Sequence, residues 1–275
     1  MKRIHIAGCG ARSGTTLMAE AMIACFEIDA YTEHEDRIYA WPKHDADIFL
    51  TKKPRDVLVA GPLLRLMPNL HVIFMLRDPR DVVTSRHGSD PGRYWISLAY
   101  WKAYMQRARA LESHPRFITV RYEDLVTRPD EVQAHLMQEM PFLRKRAPFS
   151  RYHEVAKPST RSLDALRGVR PVSAASVGNW RRHLPRLAGQ LQRHGSIAQE
   201  LIDYGYEPDD SWLNEVRQVT PDLCESHWPE YLTRSDLRRR MRGKYLRAIV
   251  TSLYPLLKPP LSGRGAKSEG SGDAG

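Results

Sequence analysis

Apolar residues near the N-terminus form a short block, Ile4, Ile6 and Ala7, and the chain then breaks at Gly8, Gly10 and Gly14. From Thr15 the period changes: Leu17, Met18, Ala21, Met22 and Cys25 fall three and four residues apart, the spacing of a helix with one buried face. The segment predicts a buried strand, a glycine-rich loop and a helix. Residues 29–37 are polar and acidic without periodicity and predict a loop. Residues 47–50 predict a second strand, ending at Thr51-Lys52-Lys53-Pro54. Helical spacing follows through Val57, Leu58, Leu63, Leu64 and Met67, with an interruption expected at Gly61-Pro62. Residues 71–76 are apolar on both faces and β-branched, the signature of a central parallel strand.

Further along, residues 80–86 and 93–112 predict helices, the second with Leu98, Trp101, Met105, Ala108 and Leu111 on one face. Residues 117–120 predict a strand and Pro129-Asp130 opens a helix towards Met140. Strands alternating with helices imply an α/β fold with a mainly parallel central sheet flanked by helices. Ligands of such sheets bind beyond the carboxyl ends of the strands, where this chain carries its polar motifs. Residues 141–171, basic and proline-containing, predict loops over the site, and a helix is expected over residues 187–204. The domain division is residues 1–210 as the main domain, 211–258 as a helical extension, and 259–275, rich in Gly, Ser and charge, as a disordered tail. Within the extension, Arg238, Arg239, Arg240, Arg242, Lys244 and Arg247 precede Ile249, Val250, Leu253, Leu256 and Leu257. That basic helix either packs one face on the body or lies on an anionic membrane surface.

Composition narrows the partners. The net charge of +10 over 275 residues calls for an anionic partner, and charge alone does not choose among nucleotide, polysaccharide, nucleic acid and membrane. Three separated cysteines, Cys9, Cys25 and Cys224, form no disulfide framework or zinc spacing and indicate a reducing compartment. No apolar run reaches the ~18 residues of a membrane span, and no signal peptide is read at Met1-Lys2-Arg3. A cytoplasmic location follows as the expectation, with peripheral contact to the inner membrane face through the basic helix as an option.

The chemistry is concentrated in two motifs. In the first, Gly10-Ala11-Arg12-Ser13-Gly14-Thr15-Thr16, glycines let a backbone approach an anion and the helix start offers unpaired N–H groups. A Walker A loop needs Lys after its last glycine, and Thr15 stands there instead. The second, Arg77-Asp-Pro-Arg-Asp-Val-Val-Thr-Ser85, supplies a guanidinium at a strand end and a hydroxyl eight residues later. Taken alone, it equally fits an Arg–Asp network capping a helix.

Together the two motifs resemble the 5′-phosphosulfate loop and the 3′-phosphate motif of the PAPS-dependent sulfotransferases, especially their bacterial and Golgi-type branches. The resemblance, over about residues 2–208, implies a P-loop NTPase-like sulfotransferase fold. It implies PAPS (3′-phosphoadenylyl sulfate) as co-substrate, no metal, and transfer of a sulfuryl group to an acceptor hydroxyl or amine with release of PAP. By the same resemblance Tyr122 in Tyr-Glu-Asp-Leu lies near the adenine, and Lys52 bridges to the transferring group, with Lys53 as its neighbour or substitute. Glu33, twenty-one residues beyond Arg12, is the expected base, with His34 and Glu35 as runners-up. The Gly178-Asn-Trp180-Arg181 segment resembles the family's late motif, but the Arg-Lys-Gly that begins it elsewhere is missing, so roles for Arg170, Ser173 and Ser176 carry over weakly.

The expected acceptor is a carbohydrate, glycolipid, small metabolite or peptide, and not nucleic acid; the oligomeric state is open. The aromatic positions Tyr94, Trp95, Tyr100, Trp101 and Tyr104 read either as an acceptor pocket or as core. Two other functions compete: a P-loop kinase-like phosphotransferase, and a non-catalytic binder of acidic polymers.

Overall fold

The computed structural model describes residues 1–88 and 90–257, without the side chains of Arg240 and 251–257. The expected tail at 259–275 lies outside the described residues. Five parallel strands form one sheet in the order β2-β3-β1-β4-β5. These are β1 (Lys2–Gly8), β2 (Ala30–Tyr31), β3 (Ile48–Lys52), β4 (Leu70–Leu76) and β5 (Phe117–Arg121). The α/β class with a mainly parallel sheet therefore holds. The central strand β1 lies between β3 and β4, with Ile6 opposite Lys52 on one side and Gly8 opposite Met75 on the other. Four of the strands were legible as apolar runs. The fifth, β2, is two residues long within the stretch expected to be a loop, too short to show a period.

Among the described residues twelve α-helices connect and flank the strands: α1 (Thr15–Cys25), α2 (Val57–Leu66), α3 (Pro79–Val83), α4 (Leu98–Arg109), α5 (Tyr122–Thr127), α6 (Pro129–Glu139), α7 (Tyr152–Val155), α8 (Thr160–Leu166), α9 (Leu184–His194), α10 (Ala198–Asp203), α11 (Leu213–Arg217) and α12 (Arg234–Leu257). The period-two alternation of the sheet sorts its side chains into two cores. Ile4, Ile6, Ile73, Met75, Ile118 and Val120 pack with Met18 and Met22 of α1 and Leu136 of α6. On the opposite face Val72, Phe74 and Leu76 meet Leu63 and Leu64 of α2, Trp101 and Met105 of α4, and Leu187 of α9. Tyr100, Trp101 and Tyr104 are buried in this second core, Trp95 packs half-buried against it, and Tyr94 is buried beside Arg86 and Arg186, so the aromatic stripe is packing and lines no part of the cavity described below.

Three expected elements are corrected. Helix α2 runs unbroken through Gly61 and Pro62. Proline has no N–H to give the carbonyl four residues back, and the orphaned Leu58 oxygen instead accepts the Tyr245 hydroxyl of α12 at 3.1 Å. The helix expected over residues 187–204 is two, α9 and α10, because Gly195 takes a left-handed φ of 78°. The helix expected from residue 93 begins at Leu98, since Tyr94 pairs in isolated bridges with Arg86 and Ser226.

The C-terminal helix is built onto the body. Met241 and Ala248 are buried in the α2–α4 core, and Lys244 pairs with the buried Asp56 at 2.9 Å. Glu230, just before α12, ties the segment to α9 by accepting from His194 at 3.0 Å and from Gln190. Burial alone would raise the Glu230 carboxyl, but the hydrogen bonds from His194, Gln190 and Ser226 outweigh it and hold its pKa at about 2. Among the described residues no helix is long and apolar enough to cross a membrane.

Candidate active site

The carboxyl ends of β1, β3, β4 and β5 carry, in turn, the glycine loop, Lys52, Arg77 and Tyr122. Parallel pairing puts all four on one edge of the sheet. The loop after β1 is shaped by backbone conformations that few residues tolerate. Gly14 caps α1 at φ 90°, and a Cβ there would lie 2.4 Å from the Tyr122 ring. Arg12 itself sits at φ 67°, in left-handed space costly to a side chain. That turn aims its carbonyl at Arg77, whose Nη1 donates to it at 2.7 Å. Ser13 is fully buried and its hydroxyl donates to the Gly10 carbonyl at 2.8 Å, so it shapes the loop from within. Helix α1 has no side-chain cap and no acidic residue in its first turn, leaving its first N–H groups for an anion.

Arg77 links the elements of the site. Its Nη2 donates to the Ser176 carbonyl at 2.9 Å, and its guanidinium lies 4.2 Å from the centre of the Tyr122 ring. The Tyr122 hydroxyl in turn meets the Ser176 hydroxyl at 2.7 Å. The other arginine of the motif, Arg80, is structural. It pairs with Asp78 at 2.7 Å and with Glu207, and lies over the rings of Trp180 and Trp212. Glu123 accepts from the Asp78 amide at 3.0 Å and from the Tyr206 hydroxyl at 3.1 Å, and so braces the same turn.

A cavity of about 660 Å³ opens between the glycine loop, α3 and the stretch 165–183. Arg12, Gly14, Thr15, Thr16, Arg77, Ser85 and Tyr122, named from the sequence, all line it. Gly10, Ala11 and Ser13 do not; they form the loop behind it. Its wall carries five arginines, Arg12, Arg77, Arg86, Arg167 and Arg170, against one carboxylate, Asp81. Burial lowers the Arg12 pKa, and the neighbouring Arg77 and Arg167 charges lower it further. The Nε atoms of both Arg12 and Arg77 are buried without a protein partner. Cations gathered at such a cost, with donors left over, fit a ligand of several negative charges.

Sequence reasoning missed Asp81. Its carboxylate accepts from the amides of Gly178 at 2.8 Å and Trp180 at 2.9 Å, and so fastens the late segment across the cavity. Arg86 was missed because it lies just past the 77–85 motif, and Arg167 and His183 because the segment 141–183 shows no period and its contacts are made in space. Arg170, Ser173 and Ser176 do line the cavity.

Lys52 and Glu33 stand apart from the cavity lining. Lys52 is buried and donates to the Thr16 hydroxyl at 2.9 Å, at the outer edge of the loop. Burial lowers its pKa, opposed by the carboxylates of Glu35 and Glu20. Glu20 was not anticipated from the sequence: one turn beyond Thr16 on α1, it is almost fully buried, and burial raises its carboxyl pKa against the pull of Ser162 and Lys52. Lys53, half-buried, is not in the cavity lining; burial lowers its pKa, in the field of Arg55, Asp56, Glu35 and Lys244. Glu33 is exposed, its carbonyl accepting from Ser159 of the α8 cap at 3.0 Å. His34 and Glu35 are exposed beside it, and of the three expected bases Glu35 and His34 are those whose charges act on or respond to Lys52. Among the described residues no group of three or more His, Cys, Asp or Glu side chains is placed to hold a metal.

The sulfotransferase family model matches residues 16–140, from Thr16 of the loop to Met140. No curated protein matches. Similar solved structures include sulfotransferase STF9 from Mycobacterium avium, at 16% identity over 64% of this chain and 43% of that one, TM-score 0.27. Retinol dehydratase in complex with androsterone and the inactive cofactor PAP aligns at 12% identity over 92% of this chain and 81% of that one, TM-score 0.30. The sulfotransferase domain from the curacin biosynthetic pathway aligns at 18% over 64% and 63%, TM-score 0.23. This chain thus spans less than half the length of the STF9 structure.

Proposed function

We propose that the protein is a PAPS-dependent sulfotransferase, moving a sulfuryl group to an acceptor hydroxyl or amine and releasing PAP. The observation that carries the reading is an arginine-lined cavity whose wall combines Arg12, Thr15 and Thr16 at the uncapped α1 terminus with Arg77 and Ser85. A nucleotide phosphorylated at both 5′ and 3′ positions presents two separated anions to such a site. The donor, when bound, supplies a sulfuryl group already activated on a phosphate leaving group. The protein's own residues hold and neutralise. Thr15, Thr16, the first amides of α1 and Arg12 bind the 5′ end, where charge develops on the leaving oxygen. Arg77 and Ser85 bind the 3′-phosphate, and Tyr122 supports Arg77 and the loop at Gly14. Lys52, held on Thr16 beside the loop, is positioned to act on the equatorial oxygens of the group in transfer. The acceptor proton goes to a carboxylate of the 33–35 loop, with Glu33 the first choice and Glu35 nearer to Lys52 in electrostatic terms.

The acceptor class is proposed as a carbohydrate, glycolipid, small metabolite or peptide. Incubation with sulfur-labelled PAPS and a panel from these classes tests the reaction directly. Label recovered in an acceptor, with PAP formed in equal amount, is the expected result. Transfer of the γ-phosphate of ATP to the same acceptors, with none from PAPS, would replace this reading by the phosphotransferase alternative.

A further inference from the structure

We infer that α12 is a docking element for an anionic lipid bilayer, a role independent of the reaction proposed above. The rotation of the helix is fixed by its inner contacts. Met241 and Ala248 are buried, Lys244 reaches Asp56, and Tyr245 reaches the Leu58 carbonyl. The opposite side then shows Leu246, Ile249 and Val250, which are 64%, 40% and 66% exposed. Their i, i+3, i+4 spacing makes one continuous aliphatic patch. The exposed charges along the same helix are mostly of one sign, with Arg239 paired to Asp236 at 2.8 Å. Arg234, Arg238, Arg239, Arg242 and Arg247 are all exposed on the same helix, and Asp236 is its single carboxylate.

Aliphatic side chains beside a row of arginines are what an interfacial helix presents: the first enter the headgroup–acyl boundary and the second meet anionic headgroups. A second copy of the chain fits less well, because a two-fold contact through this face would bring like-charged arginines together. A nucleic acid or other purely polar polyanion would leave the aliphatic patch in water.

The test is co-sedimentation of the full chain with vesicles of phosphatidylcholine alone and of phosphatidylcholine mixed with phosphatidylserine. Wild type is expected to sediment with the anionic vesicles and stay free of the neutral ones, less so at high salt. The triple variant Leu246→Ser, Ile249→Ser, Val250→Ser and, separately, Arg234→Glu, Arg238→Glu, Arg242→Glu should each weaken binding by about tenfold or more. Both sets are exposed, so melting temperatures should match wild type. Absence of wild-type binding to anionic vesicles, equal binding to both kinds, or wild-type behaviour of both variants overturns the inference. So does a dimer mass in light scattering that the serine variant reduces to a monomer, which would assign the patch to a second copy.

Discussion

Arg12 and Arg77 hold each other in place before any ligand does: the strained Arg12 backbone presents its carbonyl to Arg77, and Arg77 spends two nitrogens on protein carbonyls. Gly14 is where this arrangement is most sensitive. An added Cβ would strain the left-handed φ and push Tyr122 away from Arg77. Gly14→Ala is expected to cost about 2 kcal/mol of stability, read by denaturant melts, and to weaken PAP binding by tenfold or more. Lys52 behaves differently, because it touches Thr16 at the loop's edge and does not line the cavity. Lys52→Met should leave PAP affinity within a few-fold of wild type while lowering turnover by about 100-fold, the usual effect of removing one transition-state donor. A variant that lost affinity and rate together would make Lys52 a donor-binding residue instead. These residues were readable in the sequence as motifs because each sits at a strand end next to its glycine or proline. Glu20 and Asp81 were not, since nothing in their neighbours announces that a carboxylate there will be buried against Lys52 or receive amides from a segment nearly a hundred residues away.

At the level of elements, the strands were legible because a parallel sheet buried on both faces demands apolar-rich runs, and β1, β3, β4 and β5 supply them despite His5, Thr51, His71 and Thr119. The helix α2 was misread at Pro62 because local propensity counts only the lost N–H. It does not see that the orphaned Leu58 carbonyl will find a hydroxyl from α12, 187 positions away. Tyr245→Phe, which removes that hydroxyl alone, is expected to cost about 1 kcal/mol, measured by chemical denaturation. On β1, His5 is fully buried with its Nδ1 2.8 Å from the Thr51 hydroxyl. Burial pushes its pKa down to about 4, against partial opposition from Asp56. The fold therefore favours the neutral ring. Its contribution is fully present above the ordinary histidine value of 6.5 and is lost as pH falls from there towards 4. Between pH 6.5 and 5, before most carboxylates titrate, that loss amounts to about 2 kcal/mol. Stability of His5→Gln, whatever its absolute value, should be flatter than wild type over this window.

Across the whole molecule, the sheet edge, the late segment and the C-terminal helix make one body. Asp81, Arg77 and Tyr122 fasten the 173–180 stretch over the cavity, and α12 closes the outside of α2. Composition foretold an anionic partner but not its place; the structure gathers five of the arginines around one cavity and spreads others along α12. The ligand proposed for this cavity is a nucleotide with phosphate at both ends of its ribose. Calorimetric titration with PAP, beside ATP and 3′-AMP, tests it most directly in wild type, Arg77→Ala and Ser85→Ala. PAP is expected to bind in the micromolar range, with much weaker binding of either control and a loss of about tenfold or more in each variant. A folded protein that binds ATP as tightly as PAP, or that binds PAP equally well without the Ser85 hydroxyl and the Arg77 guanidinium, would contradict it.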